Sequence, residues 1–210
     1  MPVRSRALPR SFFARDSRVL APELLNKVLV RRPIGEPAGE ATVPLLAARI
    51  VEVEAYCGAE DAGSHAYRGR TARNATMFGP AGHLYVYFTY GMHWCANVVA
   101  GEPGTASAVL LRAAAPLEGL DVMRARRLKA RPKTLRDRDL LSGPAKLCAA
   151  FGITGALDAA DLTKGELRIL DDGTPPPDVP LVTTRIGLAA GKGDEHPWRF
   201  GVPADPNLSR

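Results

Sequence analysis

Residues 83–99, HLYVYFTYGMHWCANVV, constrain the fold more than any other stretch of the chain. Two runs of β-branched and aromatic residues flank Tyr90-Gly91, and a glycine supplies the positive φ that a tight hairpin turn requires. The same residue types recur in KVLVRR (27–32), LLAARIVEVEAY (45–56), AVLLR (108–112), ELRIL (166–170, turning at Asp171-Asp172-Gly173) and LVTTRIGL (181–188). Helical patterns are fewer. One covers 17–26, where Pro22 fits only a first turn. A second starts at Pro116, with Leu117, Leu120 and Met123 facing inward. A third starts at Ser142-Gly143-Pro144 and is stopped by Gly152. Strands grouped in hairpins, rather than alternating with helices, predict an α+β domain. Its core is a mostly antiparallel, curved sheet with flanking helices and a protruding hairpin. With 210 residues the chain fits one domain, expected over 11–210 after a loose segment 1–10. The Pro/Gly-rich stretches 33–42 and 173–180 read as a loop between strands and a surface crossing.

Several classes are excluded. Three cysteines without a CxxC argue against a disulfide scaffold or a zinc ribbon. The apolar fraction of 46% and charged fraction of 24% exclude wholesale disorder. No apolar run approaches the roughly 18 residues of a membrane span, and the N-terminal charges precede no apolar segment of a secretory signal. A reducing cytoplasm is the expected home. No GxGxxG, P-loop or GxSxG occurs, so nucleotide-cofactor and serine-hydrolase chemistry lack their usual support.

Charge points to a polyanionic partner. Basic residues exceed acidic ones by 28 − 22 = 6. Eight of the fifteen residues from Arg124 to Arg138 are basic, a run that reads first as a solvated helix face and second as a phosphate-contacting surface. Arg68, Arg70 and Arg73 form another group near the tyrosines.

The chemistry-bearing residues concentrate in one third of the chain. Period-two alternation puts Glu52, Glu54 and Tyr56 on one strand face and Val51, Val53 and Ala55 on the other. Carboxylates two positions apart, about 6.5–7 Å at their backbones, suit either a solvated sheet face or an acid–base pair across a glycosidic bond. All five tyrosines fall between Tyr56 and Tyr90. Cross-strand aromatic packing accounts for Tyr85 or Tyr87. It does not account for Tyr90, since an aromatic beside a turn glycine cannot bury within its own hairpin and is suited to wedging between bases. His93 and Cys95, with Cys57 and His65 upstream, match no zinc spacing.

The ordered string RIVEVEAYCG (49–58), SHAYRGR (64–70), RNATMFGPAGHLYVYFTYGMHWCANVV (73–99), AVLLRAAAPLEGLDVMR (108–124) and LLSGPAKLCAAFGI (140–153) closely resembles the 3-methyladenine (alkyladenine) DNA glycosylase family, in its bacterial form. The resemblance implies Glu54 as the base for an attacking water, supported by Arg112. It implies Tyr56, His65, Tyr87 and Asn97 around a flipped base, and Tyr90 with Met92 at the intercalating tip. Arg68, Arg70, Arg73 and Lys146 are expected along the DNA backbone. His93 and Trp94 follow Gly91-Met92 where family members vary among aromatics. The implied partner is double-stranded DNA containing damaged purines, handled by a monomer with no cofactor, no metal and no membrane.

A base in a duplex must be extruded before chemistry, at a few kcal/mol, least for damaged or mismatched pairs. A cationic alkylated purine then gains cation–π attraction and is already a good leaving group. No lysine in the matched site calls for a Schiff base, so the expected reaction is hydrolysis without strand cleavage. Two rivals stand beside this one. A binding protein for distorted duplexes would not depend on Glu54, and a two-carboxylate glycoside hydrolase would depend equally on Glu52.

Overall fold

The computed structural model describes residues 5–32, 45–128 and 134–209. Among the described residues nine strands form one sheet: β1 (Arg6–Ala7), β2 (Val28–Arg31), β3 (Leu46–Cys57), β4 (Leu84–Thr89), β5 (His93–Ala100), β6 (Ser107–Glu118), β7 (Leu167–Asp171), β8 (Leu181–Thr183) and β9 (Arg199–Gly201). Their order is β1-β7-β2-β3-β6-β5-β4, with β9 beside the second half of β3 and β8 beyond it. Every pairing of these strands is antiparallel. The helices are α1 (Arg10–Phe13), α2 (Ser17–Leu24), α3 (Leu120–Leu128) and α4 (Pro144–Phe151). This is the expected α+β domain, a curled antiparallel sheet with a few helices.

The two faces of the sheet do different work. On one, Leu20 and Leu24 of α2, Met123 of α3 and Leu147 and Phe151 of α4 close a core over Ile50, Val53, Val98 and Leu111. On the other, Ala66, Met77, Tyr85, Val99, Ala106 and Ala108 form a smaller cluster. Period two along β4 and β5 makes this separation: Leu84, Val86, Ala96 and Val98 face the helices, so Tyr85 and Val99 face away. β3 departs from strict alternation. Its pairing with β6 shifts register around Glu52, and such bulges re-aim side chains. Ile50 and then Val53 and Ala55 join the helix-side core. Val51 is buried outside it, contrary to the expected grouping of Val51 with Val53 and Ala55.

Pro116 does not start a helix. It lies in β6 opposite Ala48, beside a register shift that skips Leu117, where a missing N–H breaks no regular ladder bond. Leu117 is exposed, and the helix begins at Leu120 after Gly119 at φ +78°. A Cβ on Gly119 would stand 2.5 Å from Leu46 Cδ2 and 2.7 Å from the Leu45 carbonyl oxygen. Gly119→Ala is therefore expected to lower stability by about 1–3 kcal/mol, read by chemical denaturation. Pro22 is likewise in the last turn of α2, not the first; the helix ends two residues later, so few rungs are lost. α4 matches its sequence signals, with Pro144 at its first position and Gly152 closing it at φ +67°. LVTTRIGL is a strand only over Leu181–Thr183. Of residues 1–10, the first four lie outside the described residues; Arg6–Ala7 pair with β7 and Leu8 is buried. The 33–42 loop also lies outside them. Among the described residues no helix is long and apolar enough to cross a membrane.

Candidate functional site

The site lies on the sheet face opposite the helices. At its base, β3 and β6 bring Glu52, Glu54 and Arg112 together, all nearly without exposure. Glu54 accepts the Tyr56 hydroxyl on Oε2 at 2.9 Å and the Ile186 N–H on Oε1 at 2.8 Å; Arg112 Nη1 pairs with Oε1 at 3.1 Å. Burial, the Glu54 charge and the hydrogen bond to it push the Tyr56 phenol well above its ordinary pKa, so its hydroxyl stays a donor. Arg112 Nε also donates to Glu52 Oε1 at 3.2 Å. Glu52 receives Arg199 Nη1 at 2.8 Å, the Ser209 N–H at 2.5 Å and the Ser209 hydroxyl at 2.7 Å. The two glutamates, alike in sequence, share Arg112 but otherwise differ in their partners: Glu52 binds Arg199 and Ser209, and Glu54 binds Tyr56 and the Ile186 N–H.

Above this base stands a cavity of about 280 Å³, lined by residues that include Tyr56, His65, Tyr87, Asn97, Arg112 and Ile186. Glu54 does not line it; it lies one layer behind, bonded to three residues that do. Tyr85 and Tyr87 stack with centroids 5.6 Å apart, because alternate residues of β4 point to one face. His65 meets Tyr87 edge-on at 4.4 Å, and its Nδ1 lies 3.1 Å from the Tyr85 hydroxyl. Burial holds both phenols neutral, pushing Tyr85 up to about 12 and Tyr87 higher. Buried Asn97 donates Nδ2 to the Tyr85 carbonyl at 3.2 Å. Cys95 also lines the wall, and burial raises its thiol pKa.

His65 is held neutral. Partial burial of its ring and then the Arg73 charge lower its pKa below 6.5. A group of depressed folded-state pKa is more easily protonated when unfolded, so this contribution to stability is full above 6.5 and is lost as pH falls from there through the lower folded-state value. NMR titration is expected to give His65 a midpoint below 6.5, and Arg73→Ala to raise that midpoint by removing a cation.

The mouth carries the remaining residues. Tyr90, at φ +50°, and Gly91, at φ +65°, form the hairpin turn, closed by the Met92 N–H to the Thr89 carbonyl at 3.1 Å. Tyr90 is 81% exposed and Met92 66%, so the tip projects apolar surface into solvent. Arg68, Arg70 and Arg73 are exposed nearby in sequence; Arg73 reaches over the Tyr87 ring at 5.8 Å and donates to the Phe88 carbonyl. Lys146 is only partly exposed and donates to the Ser142 carbonyl and hydroxyl, both at 3.1 Å. In the basic stretch, Lys129, Arg131 and Lys133 lie outside the described residues. Arg124 bonds Asp121 and Asp137, Arg136 bonds Asp139, and Arg126 donates to the Ala150 carbonyl, so these cations are already engaged.

Arg185, Asp61 and the Ile186 N–H are absent from the sequence reading. Arg185 sat inside an expected strand, and a backbone N–H has no residue signature at all. Among the described residues no group of three or more His, Cys, Asp or Glu side chains is placed to hold a metal ion.

Residues 11–206 match the family model described as methylpurine-DNA glycosylase. Similar curated proteins carry the provisional name 3-methyladenine DNA glycosylase. One from Burkholderia lata is 52% identical over 204 residues, covering 96% of this chain and 90% of that protein. One from Streptomyces avermitilis is 50% identical over 206 residues, with the same coverage. One from Carboxydothermus hydrogenoformans is 48% identical over 208 residues, covering 97% and 98%.

Proposed function

The chain belongs to the methylpurine-DNA glycosylase family, and from that premise we propose that it hydrolyses the N-glycosidic bond of damaged purines in duplex DNA, leaving an abasic site. The observation that carries this reading is the fully buried Glu54 directly behind an aromatic cavity. The extruded base enters that cavity. Tyr87 and Tyr56 offer aromatic surface, and a cationic alkylated purine gains about 0.5–2 kcal/mol of cation–π attraction there. The exposed Tyr90, with Met92, fills the gap left in the duplex. Arg68, Arg70, Arg73 and Lys146 supply backbone contacts.

Glu54 is the base for the attacking water. Its Oε1 is occupied by both Ile186 and Arg112, whereas Oε2 takes only the Tyr56 hydroxyl. A carboxylate oxygen has two lone pairs, so Oε2 is the oxygen that accepts the water proton. The water oxygen attacks the anomeric carbon, the C–N bond breaks, and the base departs with the bonding electrons. Arg112 keeps the carboxylate aimed. Asn97 and neutral His65 read the edge of the base. No enzyme amine attacks the sugar, so the strand stays intact. The protein acts as a monomer in the cytoplasm.

The test is base release from methylated duplex DNA and from duplexes with a single hypoxanthine or 1,N6-ethenoadenine. Strand breaks are expected only after alkali. Breaks without alkali would refute the hydrolytic mechanism, and no release from any of these duplexes would refute the enzymatic reading.

A further inference from the structure

We propose that Arg185, locked by Asp61, is a positioning residue for Glu54, an inference that rests on Glu54 being the base. Both side chains are wholly unexposed and pair through the two terminal guanidinium nitrogens, Nη1 to Oδ2 at 2.6 Å and Nη2 to Oδ1 at 2.7 Å. Nη1 also donates to the Ala55 carbonyl at 3.0 Å, and Nη2 to the Gly193 carbonyl at 2.9 Å. The guanidinium carbon lies 4.6 Å from the Tyr56 ring centroid and 5.0 Å from that of Trp198. Asp61 accepts in addition from the Gly63 N–H at 2.9 Å and the Cys57 N–H at 3.2 Å.

The arrangement connects one loop to the two hydrogen bonds that orient Glu54. Arg185 immediately precedes Ile186, whose N–H meets Oε1. It stacks on Tyr56, whose hydroxyl meets Oε2. It also binds the carbonyl of Ala55, the residue between Glu54 and Tyr56. The loop tip itself, Ile186-Gly187, is exposed, next to the wholly buried Arg185 side chain. A buried ion pair is not an efficient source of stability, because removing both charges from water offsets most of their attraction. What it supplies is direction, since a planar guanidinium fixes two carboxylate oxygens and two carbonyls at once. The chain makes room for it: a Cβ on Gly193, at φ +73°, would lie 2.5 Å from Arg185 Nη2 and 3.0 Å from Asp61 Oδ1.

The experiment is single-turnover base release from methylated duplex DNA with enzyme in excess, so that the rate is independent of the fraction folded. It compares wild type, Arg185→Lys and the double variant Asp61→Asn/Arg185→Met, with damaged-DNA binding and thermal melting measured in parallel. Both variants are expected to be slowed about 10²-fold, the effect of misplacing a catalytic group by about 1 Å. Binding is expected to stay within about threefold of wild type. The double variant, with no unpaired charge, is expected to melt closer to wild type than Arg185→Met alone, prepared as the melting reference, while remaining slow. A rate near wild type in either variant would overturn the proposal. Glu54→Gln run alongside separates the two readings. If it is active, Glu54 is not the base; if it is silent while Arg185→Lys is fast, only the positioning role fails.

Discussion

Glu54→Gln is expected to lower single-turnover base release by about 10²–10⁴-fold, the usual contribution of a general base, while damaged-DNA binding persists. The substitution is close to isosteric, and the surrounding groups tolerate it. An amide oxygen placed at the Oε1 position still accepts from Ile186 and faces Arg112. The amide nitrogen then points at the Tyr56 hydroxyl, which can turn from donor to acceptor because a hydroxyl does both. Arg112 keeps Glu52 as its counter-charge. What disappears is basicity at Oε2. An excess-enzyme assay with binding measured on the same duplex isolates that loss. A rate within about tenfold of wild type would remove Glu54 from the base role; lost binding with lost rate would leave the substitution reporting on architecture instead.

How much of this was legible in the residues follows from which forces set each feature. The β4–β5 hairpin was readable because strand propensity, alternation and a turn glycine agree over one continuous segment. The shared face of Tyr85 and Tyr87 came from alternation alone. Pro116 was misread because a proline before a helical pattern and a proline beside a bulge look identical locally; pairing with Ala48, 68 positions away, decides between them. Val51 was misassigned for a related reason, since strict alternation contains no bulge. The role of Arg185 lies deeper still. Its partner Asp61 is 124 positions away, in loops without periodicity, so nothing near it in the chain marks it as buried. The resemblance to known glycosylases supplied Glu54, Arg112 and the cavity residues by matched position. The chain folds them around one cavity, but Lys146 is engaged with Ser142, and Arg124, Arg126 and Arg136 of the basic stretch with neighbouring carboxylates and a carbonyl.

Glu52→Ala should destabilise the protein by about 3–5 kcal/mol in chemical denaturation, the cost of stripping one partner from a buried ionic cluster. The cluster is balanced, with Glu52 and Glu54 against Arg112 and Arg199, and Glu52 is 1% exposed. Without it, Arg199 loses its carboxylate and the Ser209 N–H and hydroxyl lose their acceptors, so Ser209 loses its tie to β3 while the β9 pairing remains. The chemistry should suffer far less. Arg112 retains Glu54, and the Ile186 and Tyr56 hydrogen bonds do not involve Glu52. Single-turnover base release, measured at a temperature where the variant is folded, is expected to stay within about tenfold of wild type, below the usual contribution of a general acid or base. This divides the two glutamates by what they touch: both meet Arg112, but only Glu54 is bonded to Tyr56 and Ile186, and only Glu52 to Arg199 and Ser209. A loss as large as that of Glu54→Gln would instead make Glu52 a second working carboxylate, as in glycoside hydrolases that use an acid and a base. Its four donors argue against that, because they engage both of its oxygens, whereas Glu54 Oε2 takes only the Tyr56 hydroxyl.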